Sequence, residues 1–574
     1  MTTEIKQALS QALTLIFDDI EVTVELGRPP PGQGDYSWCA TSAAHQLGVE
    51  PTSLARRIAD VLAPEGIASR ISVAGPYVNI WASALFEKAI ASSRDKLVLS
   101  IHEALAAERI MVEYLSPNTN KPLHLGHVRN GVLGTSVANI LEAAGHTVIR
   151  GNLVNDRGIH ICKSMLVYDR FGNGQTPESA GRKSDHFVGD WYIRYAAESG
   201  KDDALKPEAE DMLRKWEAGD PSVMALWKRM NDWVYAGFAE TYARYGFRFD
   251  AMYYESQTYR LGKDIVAEGI GRGIFVRRDD GSVAYPLPDS FGKDKNGNER
   301  SETVLRKDGT SVYLTQDLGT AVRKADDWNL DRSLYVVASE QDQHFAALFS
   351  MLRAFEYPWA SRCYHLSYGM VELPEGRMKS REGTVVDADD LADEMQKLAA
   401  QVIRSKAESP VADEEVMRRA DIIGLAAIKF YLLGFGSTKK ILFDPKKSLA
   451  FEGDTGPYCL YTYARIRSLV AKADAAGLVE RFTKLGNPEE RELAREIIDF
   501  PDVVLRAAED YNPTLVAKRT IVLARSFNRF YKAHPIFKCE DAVLRNERLA
   551  LACAAGESIR WGLSLLGIET LERM

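Results

Sequence analysis

A short apolar run, Ile110 to Leu115, breaks at Ser116-Pro117-Asn118 and is followed by His124-Leu125-Gly126-His127 at the head of a helical pattern. Val128, Val132, Ile140 and Leu141 recur at a spacing that packs one face of a helix onto a sheet. The spacing predicts a helix over 127–144, with Gly145 where a C-cap glycine belongs. Thr147 to Asn152 then reads as a second strand. Strand, helix and strand in this order make a parallel pair with a crossover, which places a ligand site at the C-terminal ends of the strands. The turn delivers His-x-Gly-His into the first helical turn. Unpaired backbone N–H groups and the positive end of the helix dipole favour an anion there, such as the phosphates of a nucleotide. His124 and His127 add donors, and Gly126 leaves space where an adenine can pack.

At 574 residues the chain is too long for one core, and about three domains are expected. No apolar run approaches the ~20 residues of a membrane span. The N-terminus lacks the pattern of a signal peptide, and the 6 cysteines include no C-x-x-C pair. A reducing cytoplasm is the expected location, with no metal site and no disulfide framework. The net charge of −8 argues against a globally basic nucleic-acid binder. The stretch from Tyr511 to Lys538 nevertheless carries Lys518, Arg519, Arg525, Arg529, Lys532 and Lys538 and no acidic residue. Phe527, Phe530 and Tyr531 interleave with these cations, the combination that binds unpaired bases. At helical spacing Phe527 and Tyr531 equally suit a core, and the same holds for Tyr458, Tyr461 and Tyr463.

Along the rest of the chain, residues 1–105 read as a small α+β module. Helices are expected at Glu4–Ile16, Ser37–Gln46 and Pro51–Leu62, a loop over 29–37, and strand-like residues from Ile71 to Trp81. From Phe171 to Ser311 the pattern loosens into hairpins and loops, as in an insertion. Sheet-like runs resume at Ser311–Leu314 and Ser333–Ala338, alternating with helices at Leu318–Asp327 and Gln343–Phe355. After Leu391 the chain reads as helical.

A second feature is the basic loop Leu373-Pro374-Glu375-Gly376-Arg377-Met378-Lys379-Ser380-Arg381-Glu382-Gly383-Thr384. Cations beside a triphosphate can stabilise the charge of a departing pyrophosphate. His124–His127 and this loop resemble the HIGH and KMSKS signatures of class I aminoacyl-tRNA synthetases. Within that class the chain is similar, nearly end to end, to the arginyl-tRNA synthetases. The resemblance is carried by Ser116-Pro117-Asn118 with Lys121-Pro122-Leu123-His124, by Tyr313–Asp317, by Ala338–Asp342 and by Phe451–Tyr458 through Arg467. Gly34–Ser37 and Gly75–Ile80 resemble the domain that the family adds at its N-terminus.

The resemblance implies an α/β protein. A Rossmann-type parallel-sheet catalytic domain at 106–390, with an insertion at about 171–311, would follow an added α+β domain at 1–105. An all-helical anticodon-binding bundle would occupy 391–574. It implies ATP (with Mg²⁺), arginine and tRNA as partners, a monomer, and tRNA needed before arginine is activated. Among site residues it implies Pro117, His124, Leu125, Gly126, His127 and Met378 for ATP. For arginine it implies Asp317 with Tyr313 at the guanidinium, and Glu113, Asn118, Ser116 and Gln341 at the α-ammonium and carboxylate end. A carboxylate can take a guanidinium in a two-point grip that an ammonium cannot copy. Asp317 can also be read as a helix N-cap. The position of the second KMSKS lysine holds Ser380 here, so Lys121, Lys379 and Arg381 are rival phosphate cations. Lys518, Arg519, Arg525, Arg529, Tyr458 and Tyr463 are the candidates for tRNA contact. A synthetase for another amino acid, a tRNA-independent nucleotidylyltransferase with the same core, and a non-catalytic relative are the alternatives.

Overall fold

The computed structural model describes all residues except 1, 18–21, 31, 63–67, 83–106, 294–296, 374–385, 408–409 and 478–486. The chain forms two compact units, one of residues 106–448 and one that joins residues 1–105 to 449–574.

The first unit is built on a five-stranded sheet. Its strands are β1 (Arg109–Glu113), β2 (Thr147–Val154), β3 (Ala251–Tyr254), β4 (Arg332–Ala338) and β5 (Cys363–Tyr368). They lie in the order β5-β4-β1-β2-β3, and every neighbouring pair is parallel. β1 is central, and the chain leaves it to one side for β2 and reaches the other side only at β4, so the strand order switches at its C-terminal end. Such a switch point opens a crevice for a ligand. Ile110, Met111 and Val112 are buried on both faces of β1, which is why its run is continuously apolar rather than alternating.

The helices that matter for the site are α1 (Leu125–Ala143), α2 (Ser184–Ser199), α3 (Pro221–Tyr245), α4 (Tyr313–Trp328), α5 (Asp342–Ala354), α6 (Ala388–Lys406) and α7 (Asp413–Leu433). α1 starts two residues before the expected point, and Gly145, at φ 97°, follows its C-cap Ala144. Gly131 and Gly134 let α1 approach the end of β1 closely. A Cβ on Gly134 would lie 2.4 Å from Tyr114 Cγ, and one on Gly131 would lie 2.5 Å from Leu115 Cδ1. Gly134→Ala is therefore expected to destabilise this unit by about 1–3 kcal/mol, the usual cost of overpacking, as read by urea denaturation.

Several expectations need correction. The stretch 171–311 is not loop-rich throughout. It holds α2, a further helix Leu205–Glu217, and α3, and its strand β3 is an edge strand of the main sheet. Only its later part forms a separate three-stranded antiparallel sheet. Ser311–Leu314 is not a strand, because α4 already begins at Tyr313. β5, with no counterpart among the expected strands, completes the sheet beside β4. α6 and α7 fall in the unit that ends at Ser448, so the expected boundary near 390 lies inside it.

In the second unit, strands Leu26–Gly27, Tyr36–Cys39, Tyr77–Trp81 and Arg70–Ala74 form an antiparallel sheet in that order. Tyr36–Cys39 replaces the first half of the expected helix, which starts only at Thr41. The C-terminal part is a bundle whose helices include Gly456–Ala475, Pro488–Ile498, Pro513–Ala533 and Ala542–Leu565. The terminal parts are joined by polar contacts: Arg491 with Asp35 at 2.8 Å, Tyr36 Oη donating to Asp499 Oδ1 at 2.6 Å, and Arg28 with Glu496 at 2.6 Å.

Candidate active site

Just past β1 the backbone takes two left-handed residues in succession, Leu115 (φ 75°) and Ser116 (φ 47°). Non-glycine residues pay for this conformation, so something must hold it. Asn130, buried on α1, does so: its Oδ1 accepts from Leu115 N at 2.6 Å, and its Nδ2 donates to Val336 O on β4 at 2.7 Å. Asn152 Oδ1 accepts from Ser116 N at 3.1 Å. The segment then pairs with the continuation of β2, where Asn155 N donates to Pro117 O at 2.9 Å and accepts through its own carbonyl from Thr119 N at 3.1 Å.

His124 is the N-cap of α1. Its Nδ1 accepts from Gly126 N at 3.2 Å, and His127 Nδ1 accepts from His124 N at 3.1 Å. The two rings lie with centroids 3.8 Å apart. Because each Nδ1 is an acceptor, each ring carries its proton on Nε2, which leaves that N–H for a ligand. Burial, with the Lys121 charge adding to it, holds His124 down to about 4. His127 is held well below its usual value by burial, then by His124 and Lys121. Both are neutral donors at physiological pH. Gly126 has a second reason to be glycine, since a Cβ there would lie 3.0 Å from His124 Cε1.

A stability effect follows from the His124 shift. The unfolded chain takes this proton at the ordinary value of 6.5, and the folded chain only near 4. Between these values the unfolded state binds more protons, so the neutral ring's contribution is complete above 6.5 and is lost as pH falls toward 4. His124→Asn keeps a capping acceptor but has no such titration. The gap in thermal midpoint between wild type and this variant is expected to narrow by about 2 °C from pH 7 to pH 5.

The carboxylate side of the crevice lies on β1, α4 and α5. Glu113, at the end of β1, is buried and ion-paired with buried Lys324 of α4, whose ammonium also lies 4.7 Å from the centre of the Tyr335 ring. Asp317, in the second turn of α4, meets His344 Nε2 of α5 at 2.6 Å and keeps about a third of its side chain exposed (33%). It does not cap the helix, because the N-cap is Val312. Tyr313 is 71% exposed in the first turn of α4. Gln341 and Asn118 are exposed, and Ser116 is half-buried. Glu255 is pushed up to about 7 by burial, with Asp156 and Asp317 adding to the effect against Arg157. Glu113 and Asp317 both act on the Tyr335 hydroxyl, so the two carboxylates share one neighbourhood. Lys324, His344, Glu255 and Asn130 were missed in the sequence. The one usable signal was that Lys324 follows Asp317 by two helical turns on the same face.

Lys121 is half-buried before the first turn of α1, and Leu125 is buried within it. Met378, Lys379 and Arg381 lie outside the described residues.

In the second unit the expected nucleic-acid residues divide. Tyr463 is buried at 4% exposure and is part of the bundle core, so it cannot offer a ring for stacking. Phe527 and Phe530 are likewise core, both at 0%. Arg519 is largely buried and ion-paired with buried Glu496. Tyr458 is half-buried, with its hydroxyl accepting from Asn528 Nδ2 at 3.1 Å. Lys518, Val522, Arg525, Arg529 and Lys532 are exposed along one face of the helix Pro513–Ala533. Arg525 there pairs with Asp454 and Arg529 with Glu492, both at the surface.

A parallel sheet with a histidine-capped helix at its switch point is a nucleotide-binding arrangement, and the family comparison makes it that of a class I aminoacyl-tRNA synthetase. The description "tRNA synthetases class I (R), catalytic domain" matches residues 92–444. "Arginyl tRNA synthetase N terminal domain" matches residues 1–82, and "DALR anticodon binding domain" matches residues 459–574. The chain belongs to the arginyl-tRNA synthetase family. It is 47% identical over 488 residues to the arginine–tRNA ligase of Bacteroides thetaiotaomicron, covering 81% of this chain and 80% of that protein. The arginine–tRNA ligase of Phocaeicola vulgatus is 45% identical over 495 residues, with 81% and 80% covered. The structure superposes on arginyl-tRNA synthetase of Thermus thermophilus with a TM-score of 0.82 at 25% identity, covering 100% of both chains. Among the described residues no helix is long and apolar enough to cross a membrane.

Proposed function

We infer that this chain joins L-arginine to tRNA at the expense of ATP. The arginine carboxylate attacks the α-phosphorus, the bond to the β-phosphate oxygen breaks, and pyrophosphate leaves. The 2′-hydroxyl of the terminal ribose then attacks the carbonyl of arginyl-adenylate, and AMP leaves. The first step needs alignment and charge stabilisation rather than covalent help from the protein. The observation that carries the reading is the pair of neutral histidines, His124 and His127, at the N-terminus of α1 beside the switch point, whose Nε2–H groups meet no partner among the described residues. They donate to phosphate oxygens as charge develops there. Pro117, Leu125, Gly126 and Met378 line the nucleotide. Lys121 is the cation that precedes this turn, with Lys379 and Arg381 as its rivals, and Mg²⁺ arrives with ATP.

Asp317, with Tyr313 beside it, takes the guanidinium. Glu113, whose charge is shared with Lys324, stays at the α-ammonium end. Asn118, Ser116 and Gln341 serve the α-ammonium and carboxylate end. Lys518, Arg525 and Arg529 offer the anticodon arm a basic helix face. Arg519 and Tyr463 are withdrawn from that list by their burial. Residues 1–105 serve as an added tRNA-binding domain. The reading includes a cytoplasmic monomer that activates arginine only with tRNA bound, an induced-fit step.

The test is arginine-dependent ATP–pyrophosphate exchange with and without tRNA. Exchange only with both present supports the whole reading. Exchange with arginine alone keeps the ligase and removes the tRNA requirement. No exchange under either condition, by a folded protein that binds tRNA, overturns it.

A further inference from the structure

The turn that carries His124 is held by more than α1. Leu125 N donates to Val386 O at 2.8 Å, and Ala388 N donates to Leu123 O at 3.0 Å, so His124 lies in a short antiparallel bridge with Asp387. Two helices of the stretch between β2 and β4 grip both sides of this bridge. On one side α2 packs beneath Lys121-Pro122: a Cβ on Gly189 would lie 2.7 Å from Pro122 Cδ, a ring atom that cannot swing away. On the other side Lys183 Nζ, just before α2, meets Asp389 at 2.6 Å and Asp185 at 3.2 Å, and donates to Thr241 Oγ1 of α3 at 2.6 Å. His186 Nε2 lies 3.2 Å from Asp389 and 3.5 Å from Asp387. Tyr245 Oη, near the end of α3, donates to Ala388 O at 2.8 Å. α3 leaves space for Asp185 through Gly237, where a Cβ would lie 2.3 Å from Asp185 Oδ1.

Asp185, His186 and Asp389 have the side chains of a metal site, but the Lys183 ammonium already sits between the two carboxylates. With Lys183 in that position and His186 bonded to Asp389, the cluster reads as a joint rather than a ligand site. Its charges are largely withdrawn from water, where pairing is strong only with the full set of partners in place.

We infer that α2 and α3 position the turn that carries His124, with Lys183, His186 and Gly189 acting through Asp387, Asp389 and Pro122. None of these residues needs to touch substrate, so they are positioning residues. The inference rests on the assignment of His124 to the phosphates in the proposed function. It predicts a selective defect. The guanidinium contacts, Asp317 and Tyr313, lie on α4, away from this joint in the sequence, whereas the orientation of His124 bears on the transition state. Small misplacements of a catalytic group can cost up to about a hundredfold in rate.

The experiment compares Lys183→Met, Lys183→Arg, Gly189→Ala, Asp387→Asn and His124→Asn in ATP–pyrophosphate exchange with tRNA present. Circular dichroism and thermal midpoints identify the folded variants. Lys183→Met and Gly189→Ala are expected to lose about tenfold or more in kcat with the arginine KM held within about twofold. Lys183→Arg should recover most of the rate, since it restores a cation between Asp185 and Asp389. Should Lys183→Met not fold, Gly189→Ala and the mild Asp387→Asn, which keeps the cap of α6, carry the test. A folded set with wild-type kcat, or a loss shared equally by kcat and arginine KM, overturns the inference while His124→Asn remains impaired. If His124→Asn itself exchanges at the wild-type rate, the assignment of His124 is what fails, and the inference falls with it.

Discussion

Asp317→Ala is expected to lower kcat/KM for arginine about a thousandfold, with the ATP KM little changed. Truncating one partner of a desolvated, hydrogen-bonded charge pair costs about 2–5 kcal/mol, and each 1.36 kcal/mol is a factor of ten. Asp317 suits such a pair. It stands in the second turn of α4 with a third of its side chain open, and His344 Nε2 at 2.6 Å fixes one of its oxygens. It caps no helix, so its removal should leave the thermal midpoint nearly unchanged, and the loss can be read as recognition rather than unfolding. Asp317→Asn keeps the shape and removes the charge, and should lose most of the same factor. Asp317→Glu keeps the charge but moves the carboxylate along the helix face, and should recover only part of it, because a planar two-point grip depends on placement. The measurement is steady-state exchange over a range of arginine concentrations. A kcat/KM within tenfold of wild type for Asp317→Ala would move the guanidinium to Glu113 or Glu255, the neighbouring carboxylates.

The sequence made the switch-point half of this site readable because its parts are local. Apolar runs, a helical spacing and Gly145 mark β1, α1 and β2 within 50 residues of chain. The start of α1 was set two residues late because histidine is not a common N-cap. The cap here is a reciprocal pair, His124 Nδ1 to Gly126 N and His127 Nδ1 to His124 N, that only the fold reveals. Val312-Tyr313 reads as strand by propensity, yet only Val312 is extended, as the N-cap, and α4 begins at Tyr313. β5 was hidden by its polar alternation, which makes sense only beside β4, where His365 Nε2 bonds Val337 O at 2.9 Å. The pairs that define the rest are remote in sequence. Glu113 meets Lys324, Asp317 meets His344, Lys183 meets Asp389, and Asp35 meets Arg491. No periodicity encodes such partners, and the same blindness placed buried Tyr463 and Arg519 on a binding face.

His124→Asn and His127→Asn are each expected to lower kcat for exchange by about a hundredfold to a thousandfold, the usual loss when one donor to developing charge is removed. Asparagine is the informative replacement. Its amide oxygen can take the place of Nδ1, so the reciprocal cap of α1 survives, while the Nε2–H that would reach the phosphates is gone. Glutamine makes the opposite change: it reaches the Nε2 position with a donor but gives up the cap. If the histidines act as donors, glutamine should retain more kcat than asparagine and lose more stability. If they act only as helix caps, that order reverses. Because the rings share one hydrogen-bond chain and lie 3.8 Å apart, the double asparagine variant should lose much less than the product of the two single losses. The pH profile gives an independent check. With His124 near 4 and His127 held well below its ordinary value by burial, neither ring changes charge between pH 6 and 8, so the ratio of wild-type to variant kcat should be flat across that range. A ratio that rises as pH falls through 6.5 would show imidazolium as the active form, and would require an anion in the crevice strong enough to reverse the effect of burial.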